Sequence, residues 1–382
     1  MQYDLFSSEH EQFRQQVRKF FAQEVAPHVA EWEKNREIPR KFWKDMGAMG
    51  FLGFCYDPAY GGVGADPIFR VVLCEELARS MTGGIAVAVE GHNDMATTYI
   101  NLLGSHEQKL KWLTPCTTGE AVCAIAVTEP GTGSDVSAIT ARAEKKGDYY
   151  LINGQKTFIT NGHYGDLLVT AVKTDPKAVP AYQGVSLIVI EKNTPGITSR
   201  KLEKIGGHSS DTAEIFFEDV KVPVGNLLGG EGQGFYAIMK NFSLERLVIC
   251  VLCVSIAEAI LDKTIEYAQS RVAFGKPIAK HQVIKHKLVD MATEIELNRA
   301  LTYQCARNYA AGVDVTKEIS MAKASAAEMA NRVAYDATQI YGGYGYMAEY
   351  DVARLYPDLR SVSIAGGTTE IMKEIVARLM GL

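Results

Sequence analysis

Hydrophobic positions recur at helical spacing through roughly the first 119 residues. Phe13, Val17, Phe20, Phe21 and Val25 fall on one helical face until Pro27, which lacks a backbone donor, ends the run. Ser8 stands three residues before Glu11, the form of a capping box at a helix start. Further helices are predicted over 73–79, 85–103 and 106–113, with Gly83-Gly84 and Gly104 as punctuation. From about 121 to 228 the period changes to two. Strands are predicted at 149–151, 156–159, 167–172, 185–190 and 213–222. Asn153-Gly154, between the first two, reads as a hairpin turn because both residues tolerate positive φ. No helical stretch joins these strands, so the sheet should be largely antiparallel, a barrel or a sandwich. Beyond Gly234 helical periodicity returns over 235–270, 281–312, 315–341 and 367–380, as an antiparallel four-helix bundle requires.

The expected fold class is therefore α+β and multidomain. A helical domain (1–120) precedes a middle β domain (121–228) and a C-terminal helical bundle (229–382). A length of 382 residues fits two or three domains rather than one small module. With 47% hydrophobic and 22% charged residues, disordered and collagenous classes are excluded. The net charge of −5, without a basic run, argues against a nucleic-acid protein. The longest apolar run, 247–257, falls short of the ~18 residues a bilayer span needs. The start lacks the basic leader and apolar core of a signal peptide. Seven cysteines, an odd number in apolar contexts, suggest reduced, buried thiols in a cytoplasmic protein. Cys250 and Cys253 form a CxxC inside an apolar helix, without His or a second pair nearby, so no metal site is expected there.

Three glycine clusters, at 131–133, 229–234 and 342–345, invite a nucleotide-binding reading, but none has the strand before and helix after that the dinucleotide fingerprint needs. The 229–234 cluster reads as a flexible domain connection. Gly342-Gly343 reads either as a helix C-cap or as backbone donors facing a phosphate. Glu245 is the residue that stands out on physical grounds. On a helix its neighbours are Val248, Ile249, Leu252 and Cys253 on one side and Asn241 and Phe242 on the other. A carboxylate in such a stripe loses hydration and titrates above its ordinary value of about 4.3, as a general base near neutral pH requires. A structural pairing with Arg246 is the alternative.

Five motifs taken together resemble the acyl-CoA dehydrogenase family. They are AVTEPGTGSD at 126–135, NGQKTFITNG at 153–162, SRVAFGK at 270–276, QIYGG at 339–343 and AGGTTEI at 365–371. They occur in family order across nearly the whole chain. The resemblance implies FAD between the β domain and the bundle, and a homotetramer whose neighbouring subunits share each FAD. Ile125, Val127, Thr128 and Thr160 would line the polar edge of the flavin, and Phe158 would pack on its ring. Arg271, Phe274, Gln282, Gln339, Gly342 and Gly343 would meet the phosphates, and Thr368 and Glu370 the adenosine half or the pyrophosphate. Ser134, which also borders the cofactor, would join Phe242 and Arg246 at the acyl-CoA.

The implied reaction is α,β-dehydrogenation of an acyl-CoA thioester. A base removes the α proton while the β hydrogen leaves as hydride to the flavin, and an electron-transfer flavoprotein then takes the electrons. Many relatives carry the base as a glutamate where this chain has Gly366, whose N–H remains able to donate to the thioester carbonyl. Isovaleryl- and long-chain-type enzymes carry it instead on the first bundle helix, at the position of Glu245. Glu90, His92 and Asp94 fall in the segment that resembles the helix lining the acyl pocket. They are either exposed or supporting polar residues, or mark a compact pocket for a short, branched or alicyclic acyl group. In that second case Glu90 would serve as a second base on a cyclic substrate. Enoyl-CoA reduction in reverse and a non-catalytic acyl-CoA-binding flavoprotein are the other readings.

Overall fold

The computed structural model describes residues 4–382. Eight helices come first: α1 Ser8–Phe20, α2 Val29–Asn35, α3 Arg40–Ala48, α4 Ile68–Arg79, α5 Gly83–Glu90, α6 Thr97–Leu103, α7 His106–Gln108 and α8 Thr114–Thr117. The cap of α1 lies one residue earlier than the sequence suggests. Ser7 takes the extended backbone of a cap and accepts from the His10 N–H, while His10 Nδ1 accepts from the Ser7 N–H at 2.9 Å. Pro27 does not end the helical course. It sits in a short 3₁₀ turn, Ala26–His28, where a missing donor costs little, and the chain continues into α2. The sequence reading omitted α3, although Phe42, Trp43 and Met46 bury one face of it.

The middle region forms one eight-stranded sheet. Its strands are β1 Cys123–Ala126, β2 Arg142–Lys146, β3 Tyr149–Thr160, β4 Leu167–Lys173, β5 Val185–Glu191, β6 Ile197–Lys201, β7 Thr212–Pro223 and β8 Leu227–Leu228. The order is β6-β7-β3-β2-β4-β5-β8, with β1 parallel to β4, a short parallel β2–β4 contact and the remaining pairs antiparallel. Ile215 on β7 and Ile188 on β5 share one core although three strands separate them in that order. At about 4.8 Å per strand a flat sheet would hold them apart, so the sheet curls round its own core. The expected hairpin at Asn153-Gly154 is not there. These residues lie inside the continuous β3, where a bulge between Ile152 and Gly154 shifts the register against β7. The Asn153 side chain bonds to Asp219, and the turn falls at Gly147, between β2 and β3.

Gly229–Gly234 is not a loose connection either. Gly232 N–H donates to Ser186 Oγ at 2.9 Å, and a Cβ on Gly234 would come within 2.7 Å of the Ser186 carbonyl carbon. The link is pinned to β5 where α9 begins. Helices α9 Gly234–Ser270, α10 Gln282–Ala310 and α11 Thr316–Tyr341 pack on one another, with α12 Asp351–Asp358 and α13 Thr369–Leu379 against α11. A two-stranded ribbon, β9 Val272–Ala273 with β10 Lys276–Pro277, caps the end of α9. Glu33 accepts from the N–H groups of His208 and Ser209, and Asp358 from those of Gly83 and Gly207. These bonds tie the three regions together. The seven cysteines are free thiols, and Cys250 and Cys253 are core residues of α9.

His92 locks β1 to the helical region. Its Nδ1 accepts from the Cys123 N–H at 3.0 Å, so its Nε2 carries the proton and donates to the Cys116 carbonyl. Burial pulls its pKa down to about 4. A histidine depressed in this way stays neutral when folded but charges near 6.5 when unfolded, so stability should fall as pH drops from 6.5 towards 4. The expected loss is roughly 3 kcal/mol. His92→Asn keeps an acceptor for Cys123 and has no ring to titrate. Urea unfolding across this window should show a flatter pH slope in that variant than in the native chain.

Candidate active site

The site forms where the α5–α6 course passes between β3 and the first turns of α9. The course is one helix interrupted by a π turn, Gly91–Ala96, which reorients the residues around it. At Gly91 the helix lies against β3, where a Cβ would be in ordinary contact, 3.5 Å from Thr160 Cγ2. Asn161 Nδ2 donates to the Ala88 carbonyl at 2.9 Å. On the other side Asn241 Nδ2, from α9, donates to the Asp94 carbonyl at 3.1 Å. Thr160 and Glu245 are thus drawn to two sides of the same helical course.

Glu245 is 6% exposed and buried in α9. Its Oε1 accepts from the Tyr99 hydroxyl at 2.8 Å and from Asn241 Nδ2 at 3.0 Å. Among the described residues Oε2 accepts no hydrogen bond and no cation pairs with the carboxylate. Burial pushes its pKa above the ordinary range, against the pull of Tyr99, Asn241 and Arg246. Arg246 turns away instead of pairing with it. Its Nε points 3.4 Å from the Gly366 carbonyl and its guanidinium lies 4.9 Å from the Phe242 ring.

Gly366 and Gly367 both hold left-handed backbone, at φ +65° and +98°. A Cβ on Gly366 would come within 2.6 Å of Ile249 Cδ1, so both conformation and space favour glycine there. Beneath them lies Lys323, whose side chain is fully buried and whose Nζ donates to the Gly367 carbonyl at 2.5 Å. Two cationic side chains therefore grip successive carbonyls of this turn. Thr368 caps α13 by accepting from the Ile371 N–H, and Glu370 lies exposed in the first turn of that helix.

Glu90, His92 and Asp94 are all buried, which removes the reading of them as exposed. His92 points to β1, while Asp94 forms an ion pair with the buried Arg70. Glu90 has no such partner. Its Oε1 is buried without a hydrogen bond, and burial, with Asp94 nearby, pushes its pKa well above the ordinary range.

On the β side, Thr128 is stitched to β3: its carbonyl accepts from the Thr157 N–H at 2.9 Å, and its hydroxyl donates to the Thr157 carbonyl. Below it Lys156 Nζ donates to the Val127 carbonyl and to Glu129 Oε1, each at 2.8 Å. The Thr160 hydroxyl has no partner among the described residues. Phe158 is 70% exposed at φ +59°, a large apolar ring held outward on strained backbone. Ile125 and Val127, just before Thr128 in sequence, are half-buried, and Ser134 is exposed on the following loop. An uncovered aromatic face beside free polar groups fits a flat, apolar ring system with a hydrogen-bonding edge, as an isoalloxazine is.

A second set lies far away. Arg271, the C-cap residue of α9, follows Glu245 by 26 residues, and the helix between them is about 39 Å long. Its guanidinium sits 5.9 Å from the Tyr344 ring, beside Gly342 and Gly343. Nothing approaches a Cβ on either glycine. Gly342 ends α11 as its C-cap at φ +61°, so the capping reading holds while its outer face stays open. Phe274, 93% exposed, and Gln339 and Gln282 are on the surface. One chain thus carries two separated patches, one at Thr160 and Glu245 and one at Arg271.

Sequence reasoning missed Tyr99 and Lys323 as neighbours of the site. Asn241 stands four residues before Glu245, so helical spacing already pointed to it. Among the described residues no helix is long and apolar enough to cross a membrane, and no group of three or more His, Cys, Asp or Glu residues is set to hold a metal.

A helical–β–helical chain with an exposed aromatic ring near a free threonine hydroxyl, and a buried carboxylate without a cation across the same helical course, fits a flavin-dependent oxidoreductase. Family models agree along the chain: the acyl-CoA dehydrogenase N-terminal domain matches residues 7–120, the middle domain 124–220 and the C-terminal domain 232–381. The chain belongs to the acyl-CoA dehydrogenase family. It is 43% identical over 375 residues to the mitochondrial long-chain specific acyl-CoA dehydrogenase of Sus scrofa, covering 98% of this chain and 87% of that one. The crystal structure of acyl-CoA dehydrogenase from Geobacillus kaustophilus superposes with a TM-score of 0.96 at 48% identity, covering all of both chains. A glutaryl-CoA dehydrogenase from Mycobacterium smegmatis in complex with FADH2 matches at 27% identity and a TM-score of 0.92, over 99% of this chain and 96% of that one. The chain is an oxidoreductase acting on acyl-CoA, with FAD as its cofactor.

Proposed function

We propose that this protein converts an acyl-CoA thioester to the 2-enoyl-CoA, with Glu245 Oε2 taking the α proton. The observation that carries the reading is the buried carboxylate whose two donors both sit on Oε1, leaving Oε2 free. FAD, when bound, supplies the acceptor for the β hydride. Thr128 and Thr160 hold its polar edge and Phe158 its ring, with Ile125 and Val127 alongside. The Gly366 N–H polarises the thioester carbonyl, and the carbonyl grips of Arg246 and Lys323 keep that turn fixed. Arg246, Phe242 and Ser134 border the CoA thioester, and Thr368 and Glu370 line the cofactor side of α13.

Arg271, Phe274, Gln282, Gln339, Gly342 and Gly343 serve a neighbouring subunit's FAD in a homotetramer. The helix length of about 39 Å between Glu245 and Arg271 favours this sharing. Electrons leave to an electron-transfer flavoprotein, and the enzyme works in the cytoplasm. The domain limits are 1–120, 121–228 and 229–382. The acyl group is short, branched or alicyclic.

One observation favours a second reading, in which a cyclic acyl-CoA loses hydrogens to Glu90 as a further base: Glu90 Oε1 is buried without a partner. An anaerobic titration with straight, branched, cyclic and unsaturated acyl-CoA esters tests both, followed by flavin absorbance. Bleaching by small saturated or branched esters supports the first reading, and bleaching by cyclic esters alone supports the second. If no ester bleaches the flavin, a non-catalytic acyl-CoA-binding flavoprotein is the better description. If the reduced flavin is reoxidised only by enoyl-CoA, the enzyme runs as a reductase.

A further inference from the structure

Tyr99 is a fully buried tyrosine on α6, its ring packed with Ala96, Ile100, Trp112 and Leu113. Such a ring needs a partner for its hydroxyl, and the partner is Glu245 Oε1 at 2.8 Å. Asn241 reaches the same oxygen at 3.0 Å while its amide also donates to the Asp94 carbonyl at 3.1 Å. The two N–H groups of one amide nitrogen are thus shared, one held by the helical course and one by the carboxylate. Two donors converge on one oxygen, and none on the other. Rotating the carboxyl would break both bonds at a buried position, where an unmade hydrogen bond is costly.

We propose that Tyr99, with Asn241 as its partner, is a positioning residue that clamps Oε1 so that Oε2 alone is aimed at the substrate. This rests on the reading of Glu245 as the base and adds a specific role for a residue outside the family motifs quoted above. The phenol has a second effect. A donor to the ionised carboxylate favours that form, which offsets part of the upward push of burial and keeps the base deprotonated nearer neutrality. The phenol's own ionisation is pushed well above its ordinary value by burial and by Glu245, so it remains a donor at all working pH values. The groups facing Glu245 are Tyr99 from α6, Asn241 and Arg246 from its own helix, and Asp94 from the π turn, whose charge is met by Arg70. Of these, Tyr99 and Asn241 touch the carboxylate.

The test uses the FAD-loaded enzyme and Tyr99→Phe, which keeps the ring and removes the donor. Single-turnover flavin reduction by an acyl-CoA substrate is followed against pH. The variant should shift the acid limb upward by about one pH unit and lower the plateau rate about tenfold through the loosened carboxyl, with little change in substrate affinity. Infrared difference spectra provide a readout independent of turnover. The protonated-carboxyl band that disappears in Glu245→Gln should titrate about one unit higher in Tyr99→Phe. A limb and a band that coincide with the native enzyme would overturn the proposal. If Tyr99→Phe does not fold, Asn241→Leu removes the other donor and should move both readouts in the same direction. Unmoved readouts there would likewise overturn it. Failure of the underlying reading looks different: Glu245→Gln would then reduce its flavin at the native rate, whatever Tyr99→Phe does.

Discussion

Replacing Glu245 by Gln should stop flavin reduction by acyl-CoA, by about 10³- to 10⁴-fold, the upper range for a positioned general base, while FAD content and acyl-CoA binding stay near native. Gln keeps the shape of the side chain and an acceptor for Tyr99, so the effect isolates the loss of a proton acceptor. Anaerobic stopped-flow reduction measures it, with the visible flavin spectrum as the control for folding. The native enzyme should show an acid limb above the ordinary glutamate range, because burial raises this carboxylate. The same shift fixes the sign of a stability effect. A carboxyl whose folded pKa is raised gives its full stabilisation below the unfolded value and loses it as pH rises through the folded one. The Gln variant should therefore melt above the native enzyme at alkaline pH, and the gap should close as pH falls. An unchanged gap would mean that Glu245 is not desolvated.

Lys156→Met should be the most destabilising of the substitutions considered, at about 3–5 kcal/mol, because it breaks a buried ion pair from one side. The Lys156 side chain is fully buried, and Glu129 nearly so. Although burial pushes Glu129 up, Lys156 and the Thr140 and Ala141 donors hold it below the ordinary range, so it stays ionised. Methionine fills the space of the lysine stem and leaves that carboxylate without its cation. It also frees the Val127 carbonyl, which the same ammonium holds. The loop that presents Val127 and Thr128 should then lose one of its attachments to β3, keeping only the Thr128–Thr157 bonds, and purified protein should carry less FAD. Urea unfolding and flavin content check both effects. Adding Glu129→Gln should recover part of the stability, since the buried charge is gone. A single variant within 1 kcal/mol of native would show that the pair does not hold the loop.

Much of this fold was legible in the pattern of apolar residues. A change of period from helical to alternating and back marks the three regions, and the long bundle helices α9, α10 and α11 lie within a few residues of their expected ends. Glu245 was legible because a carboxylate in a run of valines, leucines and cysteines has few structural reasons to be there. Asn153-Gly154 misled because positive φ serves a bulge as well as a turn, and only the pairing of β3 with β7 distinguishes them. The capping box shifted by one residue because histidine can fill the place that glutamate usually takes. Tyr99 and Lys323 were not legible at all. Each is one polar residue among several on its helix, and its partner, Glu245 or Gly367, lies more than forty residues away in sequence. Local periodicity carries no information about such contacts.

The most direct measurement is a crystal structure of the FAD-loaded enzyme with an acyl-CoA analogue that cannot be dehydrogenated. Proton abstraction by Glu245 predicts Oε2 within about 3.5 Å of the α carbon, on the side away from the flavin, with Tyr99 and Asn241 still on Oε1. An α carbon facing Glu90 or Asp94 instead, with Glu245 out of reach, would contradict it.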